Sequence, residues 1–367
     1  MTQTGSNRPP RPADSFFTTA ELIEEAHARL NASVWGYVAG GAESETSKLR
    51  NREAFDSYAF RARILRRVDE VQMSTQLLGS NLRIPVLFAP MGSMDSFVEG
   101  GGAAGVEAAC RFGTVPIVSS VTPPSPQACA RVAEGDKWFQ LYVRGDAAWA
   151  KEQVQQIKAA GYKALLLTVD TAVYSIRERQ IAERWLPPTQ RGPKGPDYGA
   201  MFDWDLAARI KDMAGIPVFL KGIQTAEDAE LSLQKGFDAI YVSNHGGRQL
   251  DHSLGTLDML PEIVEVIGGR VPVIVDGSVS RGSDIVKALA LGASAVAVGR
   301  LQAYALAAAG VEGAIQLLTI LEKELRTTMA LLGVTTIDQI NKDYLKRVAP
   351  PAHAQGPFPH LPKHIRI

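Results

Sequence analysis

His245 and Arg248 lie three positions apart and follow the apolar run 239–242, which has the composition of a buried β-strand. Two glycines separate them within the segment 243–251, which reads SNHGGRQLD. Imidazole accepts protons near neutral pH, and a guanidinium presents a planar fork to an anion. Glycines allow the backbone to approach a flat ligand closely. The segment therefore predicts proton transfer next to a bound anion.

Eight short apolar segments recur along the chain, and each is followed by a helical pattern. Apolar strands that alternate with amphipathic helices indicate a parallel sheet buried on both faces. Eight such units predict an α/β fold, a (β/α)8 TIM barrel that begins near residue 84. The predicted strands are Ile84–Pro90, Val115–Ser119, Trp138–Val143, Ala164–Asp170, Pro217–Lys221, Ala239–Asn244, Pro272–Asp276 and Ala295–Gly299. The predicted helices are Gly101–Arg111, Pro126–Ala133, Ala147–Ala160, Trp204–Met213, Ala226–Lys235, Leu257–Ile267, Gly282–Ala290 and one from Ala303.

A helical extension precedes the predicted barrel. Apolar residues recur at helical spacing over Thr18–Val38 and again over Glu43–Phe55, after a Gly-Gly break. We assign one enzymatic domain, made of this extension and the barrel, to residues 15–349. The polar, proline-rich residues 1–14 are expected to be disordered, and they contain no apolar core of a signal peptide.

Two further segments are rich in proline. Leu186–Phe202 predicts a long connection without regular structure, which is either a lid over a site or a tolerated surface insertion. The tail 350–367 carries His353, His360 and His364. Their spacing in an apparently unstructured segment favours a solvated tail over a metal site, and no metal is predicted.

The charge balance and the cysteines limit the possible partners. The chain of 367 residues has 39 basic and 39 acidic side chains and a sequence pI near 7.0. No basic stripe is present, so neither nucleic acid nor a membrane surface is expected as a partner. The longest uncharged apolar stretch, Ala288–Gly299, is about half as long as a membrane helix. Cys110 and Cys129 lack metal-type or redox-type spacing, which predicts reduced packing residues in a cytoplasmic protein.

Charged and hydrogen-bonding side chains end most of the predicted strands. The carboxyl ends of barrel strands meet at one rim, where barrel enzymes have their active sites. Each side chain alone could be an ordinary solvated loop residue, but their convergence favours a single pocket. In that pocket, Asp170 would orient His245 and stabilise the imidazole once it is protonated. The side chains expected to converge at this rim are Asp170, Lys221, His245, Arg248, Asp276 and Arg300.

The ends of the seventh and eighth strands have the composition of a phosphate site. Barrels commonly bind phosphate there through backbone N–H groups and a helix N-terminus. Gly277, Ser278 and Gly282 follow the seventh predicted strand, and Gly299 ends the eighth. Arg300 would add a bidentate contact to the phosphate.

The segment 243–251 resembles the signature of the FMN-dependent α-hydroxy acid oxidases and dehydrogenases, a family that includes glycolate oxidase, lactate oxidase and mandelate dehydrogenase. The likeness extends from about Thr18 to about Asn341 and includes separate motifs in the same order and at similar spacing. The resemblance implies FMN as the cofactor and a small 2-hydroxy acid as the substrate. It also implies self-association, since relatives are often tetramers.

The resemblance further implies roles for individual residues. His245 would be the catalytic base, held by Asp170, and Lys221 would stabilise the reduced flavin near its N1–C2 edge. The implied catalytic set is Tyr142, Asp170, Lys221 and His245. The implied substrate contacts are Tyr37, Tyr142, Arg177, His245 and Arg248, of which Tyr37 and the two arginines bind the carboxylate. The implied FMN contacts are Pro90, Met91, Gly92, Ser119, Gln140, Thr168, Lys221, Ser243, Asp276, Gly277, Ser278, Ser280, Gly299 and Arg300.

Three residues depart from the pattern of the family. Ser280 stands where the family usually has an arginine that contacts the phosphate, which implies a lower affinity for FMN. Gly92 replaces an alanine common in glycolate and lactate oxidases, and Val121 replaces the tryptophan of glycolate oxidases. Both changes are expected to enlarge the space near the flavin and to favour a substrate bulkier than glycolate.

The resulting hypothesis is the oxidation of an (S)-2-hydroxy acid to the 2-oxo acid, with electrons passed to O2 to give H2O2. The alternative is the same half-reaction with a quinone or another non-oxygen acceptor. The connection after Arg177 lacks an apolar membrane-binding segment, which favours oxygen. Another FMN barrel enzyme would need neither Tyr37 nor the arginine pair, and the full catalytic set argues against a silent flavin-binding protein.

Overall fold

The computed structural model describes residues 11–191, 197–350, 358, 361, 362, 364, 365 and 367. Thr18 caps the first helix in a capping box with Glu21, and the Asn31 side chain accepts the Val34 N–H at the start of the next. The single helix predicted over Thr18–Val38 is therefore divided, because Asn31 satisfies the first N–H groups of a new helix. The helices of the extension are α1 (Thr19–Arg29), α2 (Ala32–Ala39) and α3 (Thr46–Asp56).

The predicted barrel is confirmed. Eight of the described strands form one parallel sheet in the order β4-β11-β10-β9-β8-β7-β6-β5. A parallel bridge between Phe88 and Pro116 joins the first and last members of that order. The strands are β4 (Val86–Phe88), β5 (Ile117–Ser119), β6 (Trp138–Leu141), β7 (Ala164–Thr168), β8 (Val218–Ile223), β9 (Ile240–Val242), β10 (Val273–Val275) and β11 (Ala295–Val298).

The helices that surround the barrel lie within a few residues of their predicted bounds. The last one begins at Arg300 rather than at Ala303, so the Arg300 backbone belongs to its first turn. Helix α7 was not predicted, since it has a single turn between two connections. The helices are α4 (Gly102–Phe112), α5 (Pro126–Arg131), α6 (Ala147–Ala159), α7 (Glu178–Ala182), α8 (Tyr198–Met201), α9 (Trp204–Ala214), α10 (Ala226–Gln234), α11 (Thr256–Ile267), α12 (Gly282–Ala290) and α13 (Arg300–Leu332).

Among the described helices, α13 alone is long and apolar enough to cross a membrane by length and composition. No uncharged run in the sequence indicated this, because Glu312 and Glu322 interrupt the helix. Non-helical backbone at Ala309 and Gly310 divides α13 at a kink. It packs against α1, α4 and α12, and 56% of its most apolar stretch of 18 residues is buried inside the protein. These contacts are those of a core helix.

The barrel interior is apolar at its amino end. Trp138, Phe219 and Tyr241 form the largest side chains of one buried cluster, which includes leucines of a β-hairpin. The hairpin consists of β2 (Thr75–Leu77) and β3 (Ser80–Leu82). Its strands have three residues each, which is too short for a recognisable alternation, and the sequence did not predict them. The hairpin closes the amino end, so the polar strand ends lie at the opposite rim.

A second small sheet joins the extension to the segment that follows the barrel. It pairs β1 (Tyr58–Phe60) with β12 (Leu345–Arg347) in antiparallel register. The sequence predicted neither strand. The pairing ties the end of α3 to the chain after α13 and completes the packing of the extension on the barrel.

The terminal segments contain more structure than their composition predicted. Ala13–Ser15 form a 3-10 helix within the stretch expected to be disordered. In the tail, Phe358 is buried with the Arg281 guanidinium 5.3 Å from its ring centre, and the His364 ring lies 5.8 Å from that of His27. Phe358 and Ile365 are packed rather than solvated, whereas His364 is exposed, as a solvated tail predicts. His353 and His360 lie outside the described residues.

The long proline-rich connection contains two short helical elements, the 3-10 helix Pro188–Gln190 and α8. The prediction of a connection without any regular structure was therefore wrong at these positions. Residues 192–196 of that connection lie outside the described part of the chain. Within the described part, no group of three or more metal-binding side chains lies together.

Candidate active site

A cavity of about 1590 Å³ opens at the carboxyl ends of the strands, and most of the predicted site residues line it. Ser119, Gln140, Asp170 and Ser243 lie behind its wall. The predicted residues that line the cavity are Tyr37, Pro90, Met91, Gly92, Tyr142, Thr168, Arg177, Lys221, His245, Arg248, Asp276, Gly277, Ser278, Ser280, Gly299 and Arg300.

Buried polar side chains are linked along the strand ends β5 to β7. Ser119 Oγ donates to Gln140 Oε1 at 2.7 Å, and Gln140 Nε2 donates to Thr168 Oγ1 at 2.8 Å. On the neighbouring strands, Lys221 Nζ donates to Ser243 Oγ at 3.1 Å. Since buried polar groups are costly unless they are paired, this row is a built feature of the rim. It offers hydrogen-bonding groups to the edge of a planar ligand.

His245 and Asp170 form the predicted pair. Asp170 Oδ1 lies 3.0 Å from His245 Nδ1, and the Tyr142 hydroxyl lies 3.5 Å from His245 Nε2. Burial, with the charges of Lys221 and Arg177, lowers the pKa of His245 below its ordinary value although the Asp170 carboxylate raises it, which favours the neutral imidazole at pH 7. Burial would raise the pKa of Asp170, but the charges of His245 and Lys221 lower it overall. An ionised carboxylate thus orients a neutral imidazole whose Nε2 can accept a proton.

The loop that carries His245 has an uncommon backbone. His245, Gly246 and Gly247 all have left-handed φ angles, of 57°, 65° and 71°. A Cβ atom on Gly247 would lie 2.5 Å from the backbone nitrogen of Lys48 in α3, so no larger residue fits there. The extension therefore packs directly on the loop and helps to hold a conformation that non-glycine residues rarely adopt.

Two buried asparagines connect the extension to the same loop. Asn244 Nδ2 donates to Asn51 Oδ1 at 2.9 Å, and Asn51 Nδ2 donates to Asn244 Oδ1 at 3.0 Å. The Gly247 N–H also donates to Asn244 Oδ1, at 3.1 Å. Asp251, at the end of the segment, accepts the Ser47 N–H at 2.7 Å, at the start of α3. The histidine is thus positioned by residues about 200 positions away in the sequence.

Arg177 and Arg248 converge on the cavity from different elements. Arg248 Nη1 donates to the carbonyl oxygens of Tyr37 and Gly40 at 2.6 and 2.8 Å. Burial and the neighbouring Arg248 charge lower the pKa of Arg177 to about 10, which leaves it a cation at neutral pH. Across the described ranges, neither guanidinium has a carboxylate within 4.0 Å. Two adjacent cations without a counter-ion predict an anionic ligand.

The ends of β10 and β11 provide polar groups at the other side of the cavity. Asp276 Oδ2 lies 3.8 Å from Lys221 Nζ, and Asp276 Oδ1 is buried without a partner among the described residues. Gly277 and Ser278 follow with left-handed φ angles of 101° and 66°. A buried carboxylate oxygen without a partner is costly, so it indicates a ligand that donates a hydrogen bond there.

Comparisons with known proteins decide the family. The model of the FMN-dependent dehydrogenases matches residues 26–347 of the chain. The chain belongs to this family. The resemblance inferred from the segment 243–251 is thereby confirmed, and FMN is the cofactor of this oxidoreductase.

Curated relatives and solved structures agree with this assignment. The chain is 35% identical to the 2-hydroxyacid oxidase of Dictyostelium discoideum, over 93% of this chain and 92% of that protein. It is 36% identical to the glycolate oxidase of Spinacia oleracea, over 87% and 93%. A structure of mandelate oxidase with (S)-2-phenylpropionate matches with a TM-score of 0.84, 33% identity and coverage of 90% and 98%. A soluble mutant of the membrane-associated (S)-mandelate dehydrogenase of Pseudomonas putida matches with a TM-score of 0.86 and 33% identity, over 91% of this chain and 100% of that one.

The residues of this FMN-dependent enzyme fit its cofactor. The unpartnered Asp276 Oδ1 can accept a hydrogen bond from a ribityl hydroxyl, and Lys221 can face the negatively charged edge of the reduced ring. The first turn of α13, which starts at Arg300, offers backbone N–H groups to the phosphate. The cavity thus has suitable donors and acceptors for each part of FMN.

The cations near the phosphate end have other partners. Arg300 donates from Nε to the Val38 carbonyl at 3.2 Å and from Nη2 to the carbonyls of Gly40 and Gly246 at 2.9 and 2.8 Å. Its predicted bidentate contact with the phosphate stays a prediction, and these bonds leave Nη1 for it. Arg281, next to Ser280, forms an ion pair with Glu324 at 3.0 Å.

The helix N-terminus predicted after the seventh strand is also engaged, since the Gly282 N–H donates to Glu324 Oε2 at 2.8 Å. Ser280 itself donates from Oγ to the Ser278 carbonyl at 2.9 Å. The Gly282 N–H is therefore committed to Glu324, and the phosphate site predicted at the ends of the two strands stays a prediction.

Gly92 and Val121 are in direct contact, which revises the interpretation of both as enlarging the cavity. A Cβ atom on Gly92 would lie 2.8 Å from Val121 Cγ2, so the valine methyl group occupies the space that the glycine leaves. We expect Gly92→Ala to destabilise the protein by about 1–3 kcal/mol through overpacking, since valine has few alternative rotamers. The free energy of unfolding in urea measures this effect.

The double variant Gly92→Ala with Val121→Ala removes the colliding methyl groups and should recover most of that loss. The Val121→Ala variant alone is the reference for the cavity that the shorter side chain creates. A Gly92→Ala protein as stable as the wild type would contradict the contact.

The sequence did not single out three residues that hold Arg177. These are Tyr174, Ser175 and Gln249, each of which accepts a hydrogen bond from the Arg177 guanidinium. Ser175 Oγ also donates to the Arg248 carbonyl. Gln249 belongs to the segment 243–251, but its spacing gave no sign of a link to Arg177. Such a link depends on the approach of two loops, which a single sequence does not display.

Proposed function

We propose that this protein oxidises an (S)-2-hydroxy acid to the corresponding 2-oxo acid and passes the electrons to O2, giving H2O2. The observation that carries the proposal is a pair of guanidiniums, those of the buried Arg177 and the half-buried Arg248, beside the His245–Asp170 pair. A 2-hydroxy acid matches both parts, because its carboxylate needs cations and its alcohol carbon must lose hydrogen. An alcohol without a carboxylate would leave the two cations without a partner.

The side chains divide the work as follows. Arg177 and Arg248 bind the carboxylate and fix the 2-carbon near His245. The neutral imidazole accepts one proton at Nε2, and Asp170 stabilises the resulting imidazolium. The hydroxyl of Tyr142, 3.5 Å from His245 Nε2, can donate to the substrate oxygen as it becomes a carbonyl. FMN, when bound, supplies the two-electron acceptor, so that two electrons and two protons leave the substrate in total.

The proposed substrate is bulkier than glycolate. The cavity wall includes the apolar residues Val121, which follows β5, Val143, which follows β6, and Phe202, Trp204 and Ala207, which lie just before or within α9. Apolar walls favour an apolar side chain on the 2-carbon. Similar proteins are named for substrates of different sizes. The curated relatives include a glycolate oxidase, and the similar solved structures include a mandelate oxidase.

Oxygen is the proposed acceptor because curated relatives at 35% and 36% identity are named as oxidases. One observation favours the alternative, a dehydrogenase with an apolar acceptor. The connections after β7 expose Ile176, Ile181, Leu186 and Met201, each more than half exposed. The sequence had indicated no apolar segment there. Exposed apolar side chains near a site can mark a contact with an apolar partner.

We also propose a cytoplasmic homo-oligomer, tetrameric by the resemblance, that binds neither membrane nor nucleic acid. The balanced charge and the free thiols of Cys110 and Cys129 support this part of the proposal. Named relatives include a peroxisomal enzyme and a membrane-associated one, so location varies among similar proteins.

The experiment follows the flavin of the purified holoenzyme. Glycolate, (S)-lactate, (S)-mandelate and longer aliphatic (S)-2-hydroxy acids are mixed with it anaerobically, and the bleaching of the oxidised flavin gives the rate of reduction. We expect a bulkier acid to exceed glycolate in kcat/KM and the (R)-enantiomers to react poorly. A higher kcat/KM for glycolate would contradict the proposed substrate size, and failure of all acids to bleach the flavin would contradict the reaction.

Air is then admitted to the reduced enzyme. For an oxidase, we expect O2 to reoxidise the reduced flavin at least as fast as the enzyme turns over. One H2O2 should form for each substrate molecule oxidised. Slow reoxidation in air together with fast reoxidation by a quinone would establish the alternative acceptor.

A further inference from the structure

The hydroxyl group of Tyr174 lies between two polar side chains. Arg177 Nη1 donates to it at 3.1 Å, and it donates to Gln180 Oε1 at 3.2 Å. Gln180 is 3% exposed, so this acceptor is held inside the protein. Because the hydroxyl hydrogen of Tyr174 points to Gln180, the lone pairs of its oxygen are available to accept the hydrogen bond from Arg177.

The ring of Tyr174 also contacts the same guanidinium. The Arg177 Cζ atom lies 4.4 Å from the centre of the ring, within the range of a cation–π contact. Tyr174 is 44% exposed, whereas Arg177 is 8% exposed. The tyrosine therefore lies between the arginine and solvent at the mouth of the cavity, and both residues line that cavity.

The other contacts of Arg177 are with neutral oxygens. Its Nε donates to Ser175 Oγ at 3.0 Å, and its Nη2 donates to Gln249 Oε1 at 3.2 Å. Gln249 in turn donates from Nε2 to the carbonyls of Asp170 and Val173, both at 3.0 Å. Neutral partners fix the direction of the guanidinium without cancelling its charge.

These contacts leave one N–H on each terminal nitrogen of Arg177 without a partner in the described ranges. Two such N–H groups can bind a carboxylate as a pair. An arginine side chain has many rotamers, and ordering it only when the ligand binds would lower the affinity. A prearranged guanidinium avoids that loss.

We propose that Tyr174 is a positioning residue for Arg177 and that it sets the affinity of the site for the carboxylate of its ligand. This inference rests on the proposed function for the identity of the substrate. Tyr174 acts through Arg177 and takes no part in the transfer of protons or electrons. It should therefore affect the binding of carboxylates and leave the rate of flavin reduction at saturation unchanged.

The test compares Tyr174→Phe and Tyr174→Leu with the wild-type holoenzyme. Phenylacetate and the neutral phenylacetamide are titrated into the oxidised enzyme, and the absorbance change of the flavin gives each Kd. Anaerobic reduction by the best 2-hydroxy acid gives a second Kd and a limiting rate. The phenylalanine variant loses the hydroxyl and keeps the ring, while the leucine variant loses both.

We expect Tyr174→Phe to raise the Kd for carboxylates roughly tenfold, the scale of one hydrogen bond to a charged group. Tyr174→Leu should raise it further. The Kd for phenylacetamide should stay within about twofold, because a neutral amide gains little from a nearby cation. The limiting reduction rate should also stay within about twofold, because Arg248 still fixes the saturating acid near His245. The free energy of unfolding should change little, since the hydroxyl lies at the surface of the cavity.

Tyr344→Phe is the matched control. The Tyr344 hydroxyl accepts a hydrogen bond from Arg66 Nη1 at 2.9 Å, and neither residue lines the cavity. This variant should leave every Kd unchanged. The inference is overturned if Tyr174→Phe leaves both carboxylate Kd values within twofold of wild type, or if phenylacetamide weakens as much as phenylacetate. A wild-type flavin that no 2-hydroxy acid reduces would instead overturn the proposed function, and the phenylacetate titration would still report on Tyr174.

Discussion

His245→Ala is expected to retain FMN and to slow its reduction by a 2-hydroxy acid at least about 100-fold, the usual scale for the loss of a general base. The Nε2 atom would no longer be present to accept the proton, and Asp170 would have no imidazolium to stabilise. Anaerobic stopped-flow reduction of the bound flavin measures the effect directly, and the flavin absorbance confirms that the cofactor stays in place.

His252→Ala is a matched control for this variant. His252 has a left-handed φ of 61°, close to the 57° of His245, so alanine carries the same backbone cost at both positions. Its side chain is 63% exposed and lies outside the cavity. Reduction in His252→Ala should match the wild type. A His245→Ala enzyme that reduces its flavin at a near wild-type rate would refute the role of the histidine.

The same assignment predicts how reduction depends on pH. Burial, with the charges of Lys221 and Arg177, lowers the pKa of His245 below its ordinary value of 6.5 although Asp170 raises it. Below the lowered pKa the ring carries a proton and cannot accept another, so the wild-type rate should fall only at a pH under 6.5. This acid limb should be absent from the residual activity of His245→Ala.

Arg248→Lys is expected to lower kcat/KM for 2-hydroxy acids about 100-fold although the charge is preserved. The guanidinium donates to the carbonyls of Tyr37 and Gly40 while presenting a planar edge to the cavity, and an ammonium group cannot do both. The lost interactions bind a carboxylate in a buried site, where one charged partner contributes several kcal/mol. Steady-state kinetics with the preferred acid and the Kd for phenylacetate provide the measurement.

Arg50→Lys provides the comparison for that substitution. Arg50 Nη1 also donates to two carbonyl oxygens, those of His252 at 2.7 Å and Ser253 at 3.2 Å, but it does not line the cavity. The variant should keep wild-type kinetics, which would separate the loss of an anion site from the loss of a backbone contact. Equal kinetics for Arg248→Lys and the wild type would remove Arg248 from the proposed carboxylate site.

The sequence predicted the barrel well because each strand is a short apolar run that a helix with a clear period follows. Strand bounds were placed up to a few residues too far, as at Ile84–Pro90 against β4, since apolar residues continue beyond the hydrogen-bonded ladder. The hairpin β2–β3 and the pair β1–β12 were missed. Three-residue strands have no measurable period, and the partners β1 and β12 are separated by most of the chain.

Site residues were predictable where they occupy strand ends, because barrel geometry brings those positions together. Asp170, Lys221, His245 and Asp276 were found in this way and lie within one region of the structure. Roles that depend on side-chain direction were harder to predict. Arg300 is an example, since its position at the end of β11 suggested a phosphate contact while its guanidinium also reaches the carbonyls of α2.

Helices α2 and α3 pack against the segment 243–251, which carries His245. The contacts are made by Asn51, by Lys48 and by the carbonyl groups at the end of α2. The catalytic unit is therefore larger than the barrel, and a design that transplants the strands and their loops alone would leave the base without its support. Laboratory evolution toward new acids would accordingly do best to vary the walls contributed by the segments that follow β5 and β6 and by α9. Helices α2 and α3, which bring Tyr37 and Lys48 to the cavity, are a part of the machinery to be kept fixed.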